Sequence, residues 1–240
     1  MVRRRRFLLF WLSASVFFLC TCRAPAPEVP REAGDLAGTG QVLYLPEAGC
    51  PVPYDVLGTD EQGNVLLLRQ ELLGPLLPFR EDGGNFYDGS CPDTFLNGPF
   101  LETFPPEVRD QIVPADIRIC RPFPRSEETE LLRRRVFLLS AAELGLAHSS
   151  AAPEGTALDF FAGGAHWSPG RGDVPQSWWL RSSYLMDRDL AWQIHADGTA
   201  GGSAVREKAG LRPALYLRSD APVVPLPSST LPEGFTLSLS

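Results

Sequence analysis

The residues best equipped for recognition lie in one short stretch, Ser177-Trp178-Trp179-Leu180-Arg181-Ser182. An aromatic ring at a surface, with an arginine beside it, can stack a sugar or a peptide and hold its polar groups. Neighbouring side chains on a strand point to opposite faces, so Trp178 and Trp179 cannot share a surface. One belongs to the core. The other packs in a second buried layer or lies in a groove, and Arg181 shares the face of Trp179, two residues before it. A buried arginine needs a carboxylate partner, which makes an ion pair the expected structural role of Arg181. His166 and Trp167, in the loop Gly163-Gly-Ala-His-Trp167, complete the candidate binding set.

No constellation points to catalysis. His148, His166 and His195 show no i,i+4 pairing, and neither HExxH nor GxSxG occurs. His195 follows Ile194 on the polar face of an alternating segment, and Arg171-Gly172-Asp173 sits in a Gly/Pro-rich loop. Asp82, Asp88, Asp187 and Asp189 lack the order of a calcium loop and read as solvated turns. The cysteines have no CxxC spacing for a metal. The sequence therefore assigns no catalytic residue, no metal and no cofactor. Outside the cytoplasm, Cys50, Cys91 and Cys120 would form one disulfide and leave one thiol, with the pairing open.

That compartment follows from the N-terminus. Arg3 to Arg6 precede an apolar run of 13 residues, Phe7 to Leu19. The run is short of the roughly 20 residues a spanning helix needs and fits the core of an export signal. Leu19-Cys20-Thr21-Cys22 resembles a bacterial lipobox, with Cys22 as the lipidated residue; an uncleaved N-terminal anchor is the alternative. Residues 1–21 are thus a lipoprotein signal peptide. Residues 22–40, rich in Pro, Gly and charge, read as a flexible tether. The four arginines of the signal are its only charges, so without them the net charge falls from −7 to −11. Such a body repels a phosphate backbone, which excludes nucleic acid as a partner.

The remaining chain, with 22 Gly and 23 Pro, predicts short elements and long loops. Two strands, at residues 54–57 and 64–69, flank a turn and form a hairpin. Short helices follow Ser90 and start at Pro105-Pro106, the second running to Ile112. A strand at 136–139 leads into Ser140-Ala-Ala-Glu143, a capping box opening a helix that ends near Gly145. Residues 153–176 read as loop. Strands at 178–184, 190–194 and 211–217 close the domain, and residues 219–240 form a Pro/Ser-rich peripheral tail.

These segments, in this order, resemble the bacterial domain of unknown function 6273. The resemblance is carried by Asn64-Val-Leu-Leu-Leu68, Phe95-Leu96-Asn97 and Val136-Phe-Leu-Leu-Ser140-x-x-Glu143. Trp178-Trp-Leu-Arg-Ser182, Asp197-Gly198 and Leu211-Arg-Pro-Ala-Leu215 complete it. Tyr87 and Phe95 stand near positions where such domains have tryptophans, and Asp93 near an expected arginine. More distantly, the tryptophan–arginine strand is similar to the C-type-lectin-like fold of sulfatase-modifying proteins, whose reactive cysteine pair has no counterpart here. The resemblance implies a single compact α+β domain over residues 41–218, C-type-lectin-like. The expected protein is a lipoprotein on the extracytoplasmic face of a bacterial membrane, held through Cys22. It binds a glycan, peptide or envelope ligand without catalysis; an enzyme of the sulfatase-modifying group and a purely structural envelope module are the alternatives.

Overall fold

The computed structural model describes residues 29, 31–121, 128–146, 148–164, 170–171, 174–227 and 231–239. The signal peptide, Cys22, His166 and Trp167 lie outside the described residues. A long hairpin begins the architecture: β1 (Val42–Glu47) pairs with β2 (Cys50–Thr59), Val42 opposite Asp55 and Glu47 opposite Cys50. β3 (Val65–Arg69) returns along β2, as the sequence predicts. Asp60 builds the connecting turn. Its carboxylate accepts the backbone N–H groups of Gln62 (2.9 Å) and Asn64 (2.8 Å) and the Asn64 amide, a local bond that aspartate makes readily.

Between β4 (Leu77–Pro78) and β5 (Ile112–Val113) come two short α-helices, with a π-helical segment at Leu96–Phe100 and a 3₁₀ turn at Leu101–Thr103 between them. α1 (Cys91–Phe95) starts where Ser90 caps it, the hydroxyl accepting the Asp93 N–H at 3.2 Å. α2 (Pro106–Arg109) is a single turn. The longer helix expected there does not form, and Ile112 opens a strand instead. Pro114 disfavours helical geometry at Val113. Next come β6 (Ala115–Cys120) and β7 (Thr129–Arg134), which pair only with each other as a ribbon, and β8 (Val136–Leu138).

The C-terminal half adds β9 (Gly170–Arg171), β10 (Val174–Pro175), β11 (Trp178–Ser183), β12 (Leu190–Ile194) and β13 (Ala200–Ala204). Then follow β14 (Lys208–Ala209), β15 (Pro213–Leu217), β16 (Val223–Pro225) and β17 (Phe235–Leu237). The main sheet runs β16-β17-β1-β2-β3-β15-β5, with β8 also on β15. The three closing strands of the sequence reading therefore separate. β11 and β12 make a second sheet with β13, whereas β15 sits inside the main one. β13 reads Ala-Gly-Gly-Ser-Ala, poor in strand formers. Its Gly202 is needed for space, since a Cβ there would stand 2.7 Å from the Tyr184 ring.

Both ends of the domain extend beyond the expected limits at 41 and 218. Ala33 and Leu36, in the supposed tether, are fully buried. The Ala33 N–H donates to the Ala221 carbonyl (2.8 Å), that of Gly34 to Ser219 (2.9 Å) and that of Val223 to Arg31 (2.8 Å). The supposed peripheral tail supplies β16 and β17, the latter running parallel to β1. Val223, Phe235 and Leu237 add buried apolar surface, which favours docking over a free tail. The fold is sheet-rich, with only short helices. Among the described residues no helix is long and apolar enough to cross a membrane.

Candidate functional site

Trp178 and Trp179 are both fully buried. The Trp179 indole N–H donates to the Leu77 carbonyl at 2.8 Å, and its ring meets Phe79 edge-on at 5.5 Å. The Arg212 guanidinium lies 5.7 Å from the Trp178 ring centroid. Every residue of β11 is buried, so both its faces are covered. This corrects the groove reading, because neither tryptophan offers a face to a ligand.

Arg181 has the carboxylate partner its burial demands. Glu143 takes Nη1 and Nη2 in a two-pronged bond, each 2.7 Å. Backbone carbonyls accept the rest: Arg118 from Nε (3.0 Å), Leu138 from Nη1 (2.9 Å) and Glu154 from Nη2 (2.6 Å). All five N–H donors of the guanidinium are thus engaged. Burial works against the charge, but Glu143 and Glu154 outweigh it and hold Arg181 above its ordinary pKa. Glu143 also closes the predicted capping box. Its carboxylate accepts the Ser140 N–H (2.9 Å), and the Ser140 hydroxyl accepts the Glu143 N–H (3.1 Å). The box forms on turns, without the expected helix.

Behind the pair lies Glu154, fully buried. Its carboxyl accepts the Cys120 N–H at 2.6 Å and is bonded by the Ser182 hydroxyl, whose oxygen accepts the Ala141 N–H at 2.9 Å. Burial raises the Glu154 pKa, opposed by Arg181, Ser182 and Cys120. The folded state therefore holds this proton more tightly than the unfolded chain, where the group titrates near 4.5. Its contribution to stability is complete below pH 4.5 and is lost as pH rises through the folded pKa. Glu154→Gln, which cannot ionise, should flatten that decline. Urea denaturation between pH 4.5 and 8 measures it, and parallel profiles for the two proteins would remove Glu154 as the cause.

An open cleft of ≈ 750 Å³ lies beyond, between the β2–β3 turn, the β6–β7 ribbon and β15. Arg181 and Glu143 contribute to its lining, together with Phe137 of β8 and Tyr216 of β15. Those two rings stand 6.0 Å apart at 32°, Phe137 buried and Tyr216 half-buried. The Tyr216 hydroxyl has no hydrogen-bond partner among the described residues. Burial pushes its pKa up to about 12, with Glu143 and Asp60 adding to the shift and Arg181 opposing it. It is an O–H donor at any physiological pH. At the rim, Arg133 pairs with Asp116 (3.2 Å), while Arg118 reaches only the Thr129 hydroxyl (3.2 Å) among the described residues.

Of the candidate binding residues, only Arg181 borders this cleft among the described ones. Sequence reading passed over Tyr216, which directly follows the Arg-Pro-Ala-Leu segment and looks there like one more apolar strand residue. It also passed over the ribbon, although Ala115-Asp-Ile-Arg-Ile-Cys120 alternates with a strand's period. His195 lies 3.2 Å from the Gln193 side chain, and His148 contacts Ser150 and the edge of Trp192. Among the described residues no group of acids, cysteines and histidines is arranged to hold a metal. The expected disulfide is not formed. Cys50, Cys91 and Cys120 are free thiols, placed on β2, α1 and β6. Burial and Glu154 push the Cys120 thiol up, which makes it a poor nucleophile.

The fold and site define a sheet-rich domain clasped by a buried arginine bonded to a half-buried glutamate, with a polar cleft above them. The chain belongs to the family described as Domain of unknown function (DUF6273), whose family model matches residues 62–219. The matched span runs from the β2–β3 turn to just past β15 and contains Glu143, Arg181 and Tyr216. Residues 33–36, β1, β2, β16 and β17 lie outside it yet complete the same fold. No curated protein and no solved structure matches the chain.

Proposed function

We propose that this protein is a bacterial lipoprotein, anchored through Cys22 on the extracytoplasmic face of the membrane, whose domain binds an envelope ligand without converting it. The observation that carries the binding reading is the Tyr216 cleft, with an unengaged phenol hydroxyl above a floor whose charges are already paired. The absence of catalysis is supported by the same floor. Arg181 has no N–H to spare, and Glu154 is sealed beneath it. A C-type-lectin-like arrangement of the two sheets belongs to the same proposal and rests on the resemblance of the Trp-Trp-Leu-Arg-Ser strand.

The anchor is supported by the arginine-led apolar run and by Leu19-Cys-Thr-Cys22. Lipid chains contribute about 0.8 kcal/mol per buried methylene, so two or more hold a soluble domain firmly. The link to the domain is short. Eight residues lie between Cys22 and Arg31, so the nine steps reach at most about 32 Å at 3.3–3.6 Å each. The Gly34 N–H donates to the Ser219 carbonyl (2.9 Å), and Ser219 lines a hollow together with Asn64, at the end of the β2–β3 turn that rims the cleft. The cleft would therefore open near the point of attachment and meet ligands close to the membrane.

Cys22→Ala should abolish metabolic labelling with palmitate and move the protein from the membrane to the soluble fraction. Labelling that survives the substitution would overturn the lipoprotein reading. For the cleft, a bound envelope fragment should be recovered chemically unchanged by mass spectrometry. A fragment recovered cleaved or modified would point to an enzyme instead.

A further inference from the structure

The geometry points to a neutral oligosaccharide as the ligand of the Tyr216 cleft, an inference that rests on the binding reading above. A sugar ring presents apolar C–H faces and a rim of hydroxyls, each of which both donates and accepts. A site for it needs a firm aromatic surface with donors and acceptors interleaved around it. Tyr216 supplies the surface, backed by the buried ring of Phe137. Around it stand Glu61 as an acceptor, Gln62 as both, Arg118 as a donor and the Tyr216 hydroxyl itself. No side-chain hydrogen bond or ion pair engages Glu61 or Gln62 among the described residues.

The charge pattern selects a neutral ligand. The pairs Arg181–Glu143 and Arg133–Asp116 cancel within the cleft. What remains is acidic at one lip, Asp60 and Glu61, and basic at the other, Arg118, with the buried carboxyl of Glu154 at the floor. A strongly charged ligand would meet repulsion at one side. The volume, ≈ 750 Å³, falls within the roughly 300–1,000 Å³ of small-molecule sites, and the open form suits a chain of more than one sugar.

A peptide fits less well. Peptides commonly add to a free sheet edge or lay an apolar face in a trough. β15 is paired along both sides, by β3 on one and by β5 and β8 on the other, and the outer edge of β6 is engaged by Arg181 at the Arg118 carbonyl and by Glu154 at the Cys120 N–H. Leu131 is the single exposed large apolar side chain among the described residues of the cleft.

The test is isothermal titration calorimetry of the full-length protein in detergent with chitotetraose, cellotetraose, maltotetraose, tetragalacturonate and a pool of neutral, end-blocked tetrapeptides. At least one neutral saccharide should bind saturably. Tyr216→Ala should weaken it about tenfold or more through lost stacking, and Tyr216→Phe about threefold. Gln62→Ala lies on an exposed turn and keeps the fold, so its weakened binding would confirm the location even if Tyr216→Ala melts early. Peptide binding lost in the Tyr216 and Gln62 variants would overturn the saccharide and leave the cleft reading standing. Saccharide binding unchanged in both variants would overturn both. Tighter binding of tetragalacturonate would overturn neutrality, and silence across all probes would overturn the saccharide.

Discussion

Arg181→Ala should destabilise the protein by about 3–5 kcal/mol, enough to unfold many domains of ordinary stability. The loss has two parts. Glu143 keeps its charge with its partner gone, and the carbonyls of Arg118, Leu138 and Glu154 lose their donor. Buried acceptors left unpaired cost about 1–3 kcal/mol each when nothing replaces the donor. Arg181→Lys should cost less but remain clearly destabilising, because an ammonium cannot reproduce a planar fork. The double variant Arg181→Met with Glu143→Leu should recover part of the deficit, since no lone charge remains. Urea denaturation measures all three. A single Arg181→Ala variant within about 1 kcal/mol of wild type would show that the clasp does not hold the two sheets together.

What the sequence disclosed about this clasp was one partner's need and the other partner's motif, but not their meeting. Arg181 in a strand flanked by tryptophans has to be buried and paired, and Ser140-x-x-Glu143 has to cap a turn. Thirty-eight residues separate the two, and no local rule joins them. The hairpin at residues 54–69, the cap at Ser90 and strands β8, β11 and β12 were legible because turn chemistry and period-two patterning are local. The docking of β17 on β1 and the placement of β15 in the main sheet were not legible. Those depend on which apolar edge is left uncovered, a property of the assembled core. Composition also misled at both ends, where proline, glycine and charge at one and proline and serine at the other suggested solvated chain. Ala33, Leu36, Phe235 and Leu237 still had apolar surface to bury. The cleft was the least legible feature, because Tyr216 differs from its buried neighbours Leu215 and Leu217 only in keeping part of its ring in solvent.

Trp179→Ala should cost about 3–5 kcal/mol, the range for emptying a large buried aromatic site. The cavity would open against Phe79, and the Leu77 carbonyl, which accepts the indole N–H at 2.8 Å, would be left without that donor. Trp179→Phe should cost less, since a ring still meets Phe79, but it too removes that donor. Trp178→Ala should be comparably severe, because the indole lies beside the buried guanidinium of Arg212, whose pKa burial already lowers to about 10. The decisive comparison is with Tyr216→Ala. Truncating a half-buried ring at the cleft should change melting little and ligand affinity strongly, whereas the tryptophan variants should lose melting temperature first. Thermal denaturation alongside calorimetric titration separates the two patterns. A Trp179→Ala protein that melts like wild type but no longer binds would return the recognition surface to the tryptophan strand. Early melting with affinity intact at low temperature would leave that strand a structural element, with recognition at Tyr216.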